Sequence, residues 1–137
     1  MPGVRGVAHD DAQLVLAVAQ GAGHVESERQ VPAKVLADQT DAAEAKNIVA
    51  HAHEHGVNFI DTSDVYSTGK SEEMVGDLLD GSRHDWVLAT KLGNKMSERP
   101  NESQYSRTWV ERACEASLKR LGTDHIDLYY LHRDFNG

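Results

Sequence analysis

The chain has 137 residues, a formal net charge of −8, and shares of 39% hydrophobic and 26% charged residues. This length allows one domain with a buried core, and this composition is that of a globular rather than a disordered protein. The acidic balance predicts that the chain does not bind nucleic acid, because such a surface needs clustered Lys and Arg.

The cysteine content and the N-terminal hydropathy indicate a cellular location. Cys114 is the only cysteine, so an intrachain disulfide and a cysteine metal cluster are excluded, as suits a reducing compartment. The longest apolar run near the N-terminus, residues 14–19, is too short to cross a membrane, and the acidic pair Asp10-Asp11 precedes it. We therefore expect a cytoplasmic protein without a membrane partner.

Residues 1–37 differ from the rest of the chain. All eight aromatic residues lie between Phe59 and Phe135, and no isoleucine precedes Ile48. Weak periodicity predicts a short amphipathic helix over residues 11–20. The segment 1–37 otherwise stays unassigned.

From residue 38 onward, helices and strands alternate three times. Apolar residues at helical spacing predict a helix that Thr40 or Asp41 caps and that runs to about His55, a second helix from Ser71, and a third from Ser106 to Leu121. Gly56 and Gly122 end the first and third helices. The inner faces are expected to consist of Ala45, Ile48, Val49 and Ala52 in the first helix, and of Met74, Val75, Leu78 and Leu79 in the second.

Nearly continuous apolar strands are predicted over 57–60, 86–90 and 126–131, and a long polar loop over 93–105. Such strands are typical of a parallel sheet covered by helices, which is the α/β class. The absence of a Gly-rich phosphate turn favours a (β/α) barrel over a dinucleotide-binding sheet.

Each predicted strand ends in an ionisable residue: Asp61, Lys91 and His132. Because the carboxyl ends of barrel strands meet at one face, these three side chains are expected to converge there. Tyr66 lies in the turn after Asp61 and can fold back over the same pocket. The sequence thus predicts an acid, a phenol, an amine and an imidazole in one site.

Several segments carry a resemblance to a known family. Residues 56–66, 69–73, 89–91 and 117–129 resemble the signatures of the aldo-keto reductases, and His132, followed by Arg133-Asp134, is similar to the family's histidine after the fourth barrel strand. The likeness covers residues 38–137. The long loop after Lys91 resembles the bacterial and potassium-channel β-subunit-like branch.

The resemblance implies a TIM (β/α)8 barrel, of which residues 38–137 form the N-terminal half. It implies NADPH-dependent reduction of a small carbonyl substrate, with Asp61, Tyr66, Lys91 and His132 as the catalytic tetrad and Asp61 also as a cofactor contact. Tyr66 would give a proton to the carbonyl oxygen, and His132 would orient that carbonyl. A lysine cation close to a phenol favours the ionised phenol, and a carboxylate holds the lysine in place.

Two departures from the family set further expectations. Residues 1–37 lack the family's first strand, and a complete barrel takes about 250 residues. We therefore expect a truncated chain that is weakly active or inactive alone, with an open half-barrel prone to self-association. A non-catalytic cofactor-binding or regulatory subunit and an inactive truncated gene product are the alternatives.

Three other features have simpler interpretations. The triplet His51, His53 and His55 lacks acidic companions, so we expect no metal there and instead a favourable interaction with the helix dipole. Cys114 is expected to be an inert buried thiol. The pair Glu72-Glu73 is expected to complement a helix N-terminus.

Overall fold

The computed structural model describes residues 14–17, 31–33, 42–96, 98–99 and 105–133, and these form one five-stranded sheet and three α-helices. The strands are β1 (Leu14–Ala17), β2 (Val31–Ala33), β3 (Phe59–Asp61), β4 (Val87–Leu92) and β5 (Leu128–Leu131). The helices are α1 (Ala42–Glu54), α2 (Lys70–Leu79) and α3 (Arg107–Leu121). Two short 3₁₀ helices span Tyr66–Gly69 and Arg83–Asp85.

The sheet has the strand order β2-β1-β3-β4-β5, and β3, β4 and β5 run parallel. A helix lies between each successive pair of these parallel strands. The α/β class predicted from the sequence is therefore confirmed. The register pairs Asp61 with Ala89 and Lys91 with Tyr130, which sets the relative height of the strand ends.

The N-terminal strands differ from the prediction. β1 pairs antiparallel with both β2 and β3, so the helix predicted over 11–20 is wrong at residues 14–17. Four apolar residues are too few for a stable helix, whereas a strand of that length pairs its backbone groups along the edge of β3. Residues 11–13 and 18–20 lie outside the described residues.

The predicted ends of the third helix are confirmed, whereas α2 begins at Lys70 rather than at Ser71, and the predicted caps Thr40 and Asp41 lie outside the described residues. The Ser106 hydroxyl accepts a hydrogen bond from the Trp109 amide at 3.3 Å and caps α3, which Gly122 ends in the left-handed conformation. Gly56, at φ +83°, follows the end of α1. β5 is shorter than predicted and begins at Leu128; just before it, the Asp127 carboxylate accepts a hydrogen bond from the Leu88 amide, and the Asp127 amide donates to the Leu88 carbonyl oxygen.

The main core lies between the sheet and the helices. The predicted inner face of α2 is confirmed, whereas Ile48 of α1 is 36% exposed, so its predicted core position is wrong. The buried residues of α1 are instead Ala45 and Val49. The buried members are Ala45, Val49, Val57, Ile60, Val75, Leu79, Trp86, Leu88 and Leu121.

No helix among the described residues has the length and hydropathy needed to cross a membrane. No group of three or more His, Cys, Asp or Glu side chains among them is arranged to hold a metal ion. The ring of His51 in α1 lies 4.2 Å from the ring of His55, which follows the helix, and His53 packs on Trp86.

Candidate active site

The structure brings the three strand-end residues and Tyr66 together at the carboxyl edge of the parallel strands. Lys91, on β4, reaches across to the end of β3, where its Nζ lies 2.6 Å from Oδ2 of Asp61. The same Nζ lies 3.4 Å from the phenolic oxygen of Tyr66. His132 follows β5, and its ring lies 5.6 Å from the Tyr66 ring in an edge-to-face arrangement. The convergence expected from the strand ends is therefore present.

The Asp61–Lys91 pair is the electrostatic centre of the site. The two residues are only 6% and 9% exposed, so the pair is poorly screened by solvent. The third contact of the ammonium is the Thr62 carbonyl oxygen at 2.9 Å. An ammonium has three N–H donors, and a carboxylate, a carbonyl and a phenol here receive them. The lysine is therefore held in one geometry.

A short turn carries Tyr66 back over the strand ends. The 3₁₀ helix that begins at Tyr66 holds Ser67 at φ +46° and Thr68 at φ +55°. These left-handed values are rare for residues other than glycine and cost about 1–3 kcal/mol each. Such strain is tolerated where the surrounding structure imposes it, and here it lies directly after Tyr66, whose hydroxyl contacts Lys91.

Tyr130 is a member of the site that the sequence reasoning missed. Its hydroxyl donates a hydrogen bond to Oδ1 of Asp61 at 2.6 Å, and Lys91 Nζ lies 5.3 Å from its ring centroid. Burial, followed by the hydrogen bond to Asp61, raises the pKa of Tyr130 above its ordinary value. The signal was strand alternation: residues two apart on a strand point to the same side, so Tyr130 shares the side of His132.

His132 is held by its backbone and by its ring. Its amide donates to the Leu92 carbonyl oxygen at 2.9 Å, and its Nδ1 lies 2.9 Å from the Ser63 hydroxyl. Burial, and then the positive charges of Lys91 and Arg133, lower the pKa of His132 below its ordinary value. The imidazole is therefore neutral near pH 7, with one nitrogen donating and one accepting.

A second buried network supports the strand ends from behind. Glu72 lies in the first turn of α2, where its charge complements the helix N-terminus as expected, and its side chain is fully buried. Its carboxylate accepts hydrogen bonds from Thr90 Oγ1 and from Arg120 Nε, both at 2.6 Å. Thr90 directly precedes Lys91, so this network fixes the strand that carries the lysine.

Asp64 lies between this network and the site. Its amide donates to the Lys91 carbonyl oxygen at 3.1 Å, and its Oδ2 is buried without a hydrogen-bond partner among the described residues. Burial, and then the negative charge of Glu72, raise the pKa of Asp64 to about 6. Asp64 is therefore an acid whose charge is poorly compensated.

Comparison with known proteins assigns the family. The sequence profile of the Aldo/keto reductase family matches residues 19–136. The chain belongs to the aldo/keto reductase family. The resemblance inferred from the motifs is thus confirmed, and the family match begins upstream of residue 38, where the inferred likeness begins.

Relatives in this family include a bacterial enzyme and a plant channel subunit. The uncharacterized oxidoreductase YqkF of Bacillus subtilis is 44% identical over 96 residues, which are 68% of this chain and 31% of that protein. A probable voltage-gated potassium channel subunit beta of Arabidopsis thaliana is 40% identical over 101 residues, which are 70% of this chain and 30% of that protein. The chain thus spans about a third of the length of these relatives.

Solved aldo-keto reductase structures share the fold. The holo form of an aldo-keto reductase from Bacillus halodurans matches with a TM-score of 0.58 and 42% identity, over 67% of this chain and 32% of that one. A Pseudomonas aeruginosa protein described as an aldo-keto reductase matches with a TM-score of 0.62 and 40% identity, over 71% and 37%. The predicted fold class, part of an α/β TIM barrel, is therefore confirmed.

Proposed function

We propose that this aldo/keto reductase takes part in the NADPH-dependent reduction of an aldehyde or ketone to an alcohol, with Asp61, Tyr66, Lys91 and His132 as the reacting constellation. The observation that carries the proposal is the buried Lys91 ammonium, which contacts both the Asp61 carboxylate and the Tyr66 hydroxyl. Membership of an oxidoreductase family supports the same chemistry.

Tyr66 is the proposed proton donor. Reduction adds a hydride to the carbonyl carbon and moves the π electrons to oxygen, which then takes a proton from the phenol. The phenolate left on Tyr66 would lie 3.4 Å from the Lys91 ammonium. A fixed cation at the point where negative charge develops stabilises that charge without reorganisation. Asp61 in turn balances the ammonium.

The hydride has to come from a cofactor, because no side chain supplies one. A bound NADPH would provide it to the carbonyl carbon. Among the residues that the structure describes, Asp61 fits a contact with the cofactor. Each of its oxygens accepts one hydrogen bond, from Lys91 or from Tyr130, and a carboxylate oxygen has two lone pairs. Acceptor capacity therefore remains for a ribose hydroxyl.

Turnover of a reactive aromatic aldehyde with NADPH, followed by the loss of NADPH absorbance, tests the proposal. We expect Tyr66→Phe to abolish the turnover that the unaltered chain shows. The matched control is Tyr129→Phe, which removes a phenol that is buried without a hydrogen-bond partner among the described residues. Because the chain alone is expected to be weakly active at most, the assay uses a high protein concentration, and equal rates for Tyr66→Phe and the control would contradict the proposal.

A second candidate function is a cofactor-binding regulatory subunit. The observation in its favour is the 40% identity to a probable voltage-gated potassium channel subunit beta. This function would need NADPH binding but no proton donor. Quenching of protein fluorescence by NADPH, with no turnover of any aldehyde and no effect of Tyr66→Phe on binding, would favour it.

We also propose that the chain acts in the cytoplasm, where its single cysteine stays reduced.

We propose in addition that the chain self-associates through β5. The described sheet ends at β5, so the outer edge of β5 has no partner strand there, and Leu128 and Leu131 are 45% and 54% exposed. An exposed apolar edge strand is a template for pairing with a second chain. Sedimentation at several concentrations measures this association.

A further inference from the structure

The first turn of α2 sends two consecutive side chains to the strand ends that carry the buried ion pair. The Ser71 hydroxyl lies 2.9 Å from the Thr62 hydroxyl, and either can be the donor. The Glu72 carboxylate accepts a hydrogen bond from Thr90 Oγ1 at 2.6 Å, and all four residues are buried. Thr62 directly follows the acid of the pair, and its carbonyl oxygen accepts a hydrogen bond from the lysine. Thr90 directly precedes that lysine, so this one turn is bonded next to both charges.

The same turn is connected to the phenol of the site through the chain itself. The 3₁₀ helix that begins at Tyr66 ends at Gly69, and α2 begins at the next residue. The Arg120 side chain lies so close over Gly69 that a Cβ there would be 2.7 Å from Arg120 Cδ. Arg120 also donates from Nε to Glu72 Oε2 at 2.6 Å. The turn that carries Tyr66 and the carboxylate that holds Thr90 are therefore fixed against the same arginine side chain.

The bond to Thr90 acts on the lysine through the strand. Thr90 and Lys91 are consecutive on β4, so their side chains point to opposite faces of the sheet. Lys91 reaches the ion pair, whereas Thr90 faces α2, where Glu72 accepts its proton. A bond on the helix face limits rotation of the strand about its own axis, which would swing the long lysine side chain on the other face. The contact of Lys91 Nζ with the Tyr66 hydroxyl is 3.4 Å, near the upper limit for a hydrogen bond, so a small shift of the strand would remove it.

The chemistry of Glu72 fits a device that sets geometry. A buried ion pair is a weak source of stability, because well-packed apolar side chains of similar volume stabilise a fold as well or better. Hydrogen bonds to a charged group are short and directional, so they hold their partners more firmly than neutral contacts do. The two Glu72 oxygens have separate donors, Thr90 for Oε1 and Arg120 for Oε2. The carboxylate therefore fixes β4 relative to α2 and α3.

We propose that Ser71 and Glu72 are positioning residues, which hold the ends of β3 and β4 so that the Lys91 ammonium contacts the carboxylate and the phenol at once. Their effect on the reaction rests on the proposed function. There, Thr90→Val should lower kcat about tenfold and leave KM nearly unchanged, because misplaced catalytic groups lose contacts that form in the transition state.

The main test reads the lysine directly and needs neither cofactor nor turnover, so its failure is distinguishable from failure of the proposed function. Proton–nitrogen spectra of the full chain, labelled with ¹⁵N-lysine, give the rate at which the ammonium protons exchange with water. The Lys91→Arg variant identifies the Lys91 signal by its loss. Because three oxygens hold this ammonium, we expect its protons to exchange at least about tenfold more slowly than those of Lys95, whose side chain is 59% exposed. Equally fast exchange at the two lysines overturns the proposal.

Two substitutions of Thr90 separate its hydroxyl from its size. Thr90→Val removes the hydroxyl and keeps the branched shape, and we expect exchange at Lys91 to become about fivefold faster, the ratio that corresponds to one hydrogen bond. Thr90→Ser keeps a hydroxyl for Glu72 and should retain the slow exchange of the unaltered chain. Fast exchange in Thr90→Ser as well would show that the shape of the side chain, and not its bond to Glu72, holds the lysine, and would overturn the proposal.

A second variant and a control cover a loss of folding. Ser71→Ala removes only the bond to Thr62; it should also speed exchange at Lys91, and it is the deciding variant if Thr90→Val does not fold. Leu79→Val weakens the core at the other end of α2 and should leave the exchange rate of Lys91 unchanged although the chain is less stable. Unchanged exchange in either folded variant, or an equal rise in Leu79→Val, overturns the proposal.

Discussion

Replacing Tyr130 with Phe removes one hydroxyl from the site and tests whether the Asp61–Tyr130 contact stabilises the fold. The phenol donates to Oδ1 of Asp61 at 2.6 Å, and Asp61 is buried. A hydrogen bond to a charged group contributes about 1.5–3 kcal/mol, and its loss also leaves a buried carboxylate oxygen without its donor. We expect Tyr130→Phe to lower the free energy of unfolding by about 1.5–3 kcal/mol.

The neighbouring residue provides the control. Tyr129 is also half-buried, but its hydroxyl has no hydrogen-bond partner among the described residues, and burial raises its pKa above the ordinary value. Tyr129→Phe therefore removes a buried hydroxyl that makes no hydrogen bond among the described residues. We expect the free energy of unfolding to stay the same or to rise slightly. Urea unfolding, with the midpoint and the slope fitted separately, measures both variants. Equal losses for the two variants would refute the reasoning.

Three further predictions concern charge, pH and association. Lys91→Met leaves the Asp61 carboxylate buried without its cation, and thermal or urea unfolding should show a loss of about 3–5 kcal/mol; a loss below about 1 kcal/mol would mean that solvent reaches the pair. The pKa of Asp64 is raised from 3.8 to about 6, so the folded state holds this proton more tightly than the unfolded one. Stability from Asp64 is thus full below pH 3.8 and falls by up to about 3 kcal/mol as the pH rises to about 6. Asp64→Asn should flatten that fall in unfolding measurements from pH 4 to pH 7, and an unchanged slope would contradict the assignment. Leu131→Lys should shift sedimentation toward the monomer, because it places a charge on the open edge of β5; unchanged association would exclude this edge.

The sequence predicts the parallel part of the fold because its signals are local. Apolar runs that end in Asp61, Lys91 and His132 predict three strands, and the parallel class alone then predicts that their ends converge. Helix ends follow from capping residues such as Ser106, whose hydroxyl has one obvious donor nearby. The strand β1 could not be predicted in this way, because its conformation depends on pairing with β3, which lies more than 40 residues along the chain.

The buried hydrogen bonds of the site are the part that the sequence does not reveal. Tyr130 lies on an apolar strand, where alternation indicates that it shares the side of His132 but not that its hydroxyl meets Asp61. Glu72 has the position of a surface residue at a helix start, yet the register of α2 against α3 turns it inward to Arg120. Ser63 is one small residue in a turn. In each case the partner is distant in sequence, so only the three-dimensional packing identifies the bond.

The central claim is that Lys91 and Asp61 prepare Tyr66 to complete a hydride-based reduction. Its most direct test is to give the chain NADPH deuterated at the transferred position, together with a reactive aldehyde, and to examine the alcohol by mass spectrometry. We predict one deuterium on the alcohol carbon with the unaltered chain, and none above background with Tyr66→Phe. An alcohol without deuterium, or the same labelled yield from both proteins, would contradict the claim.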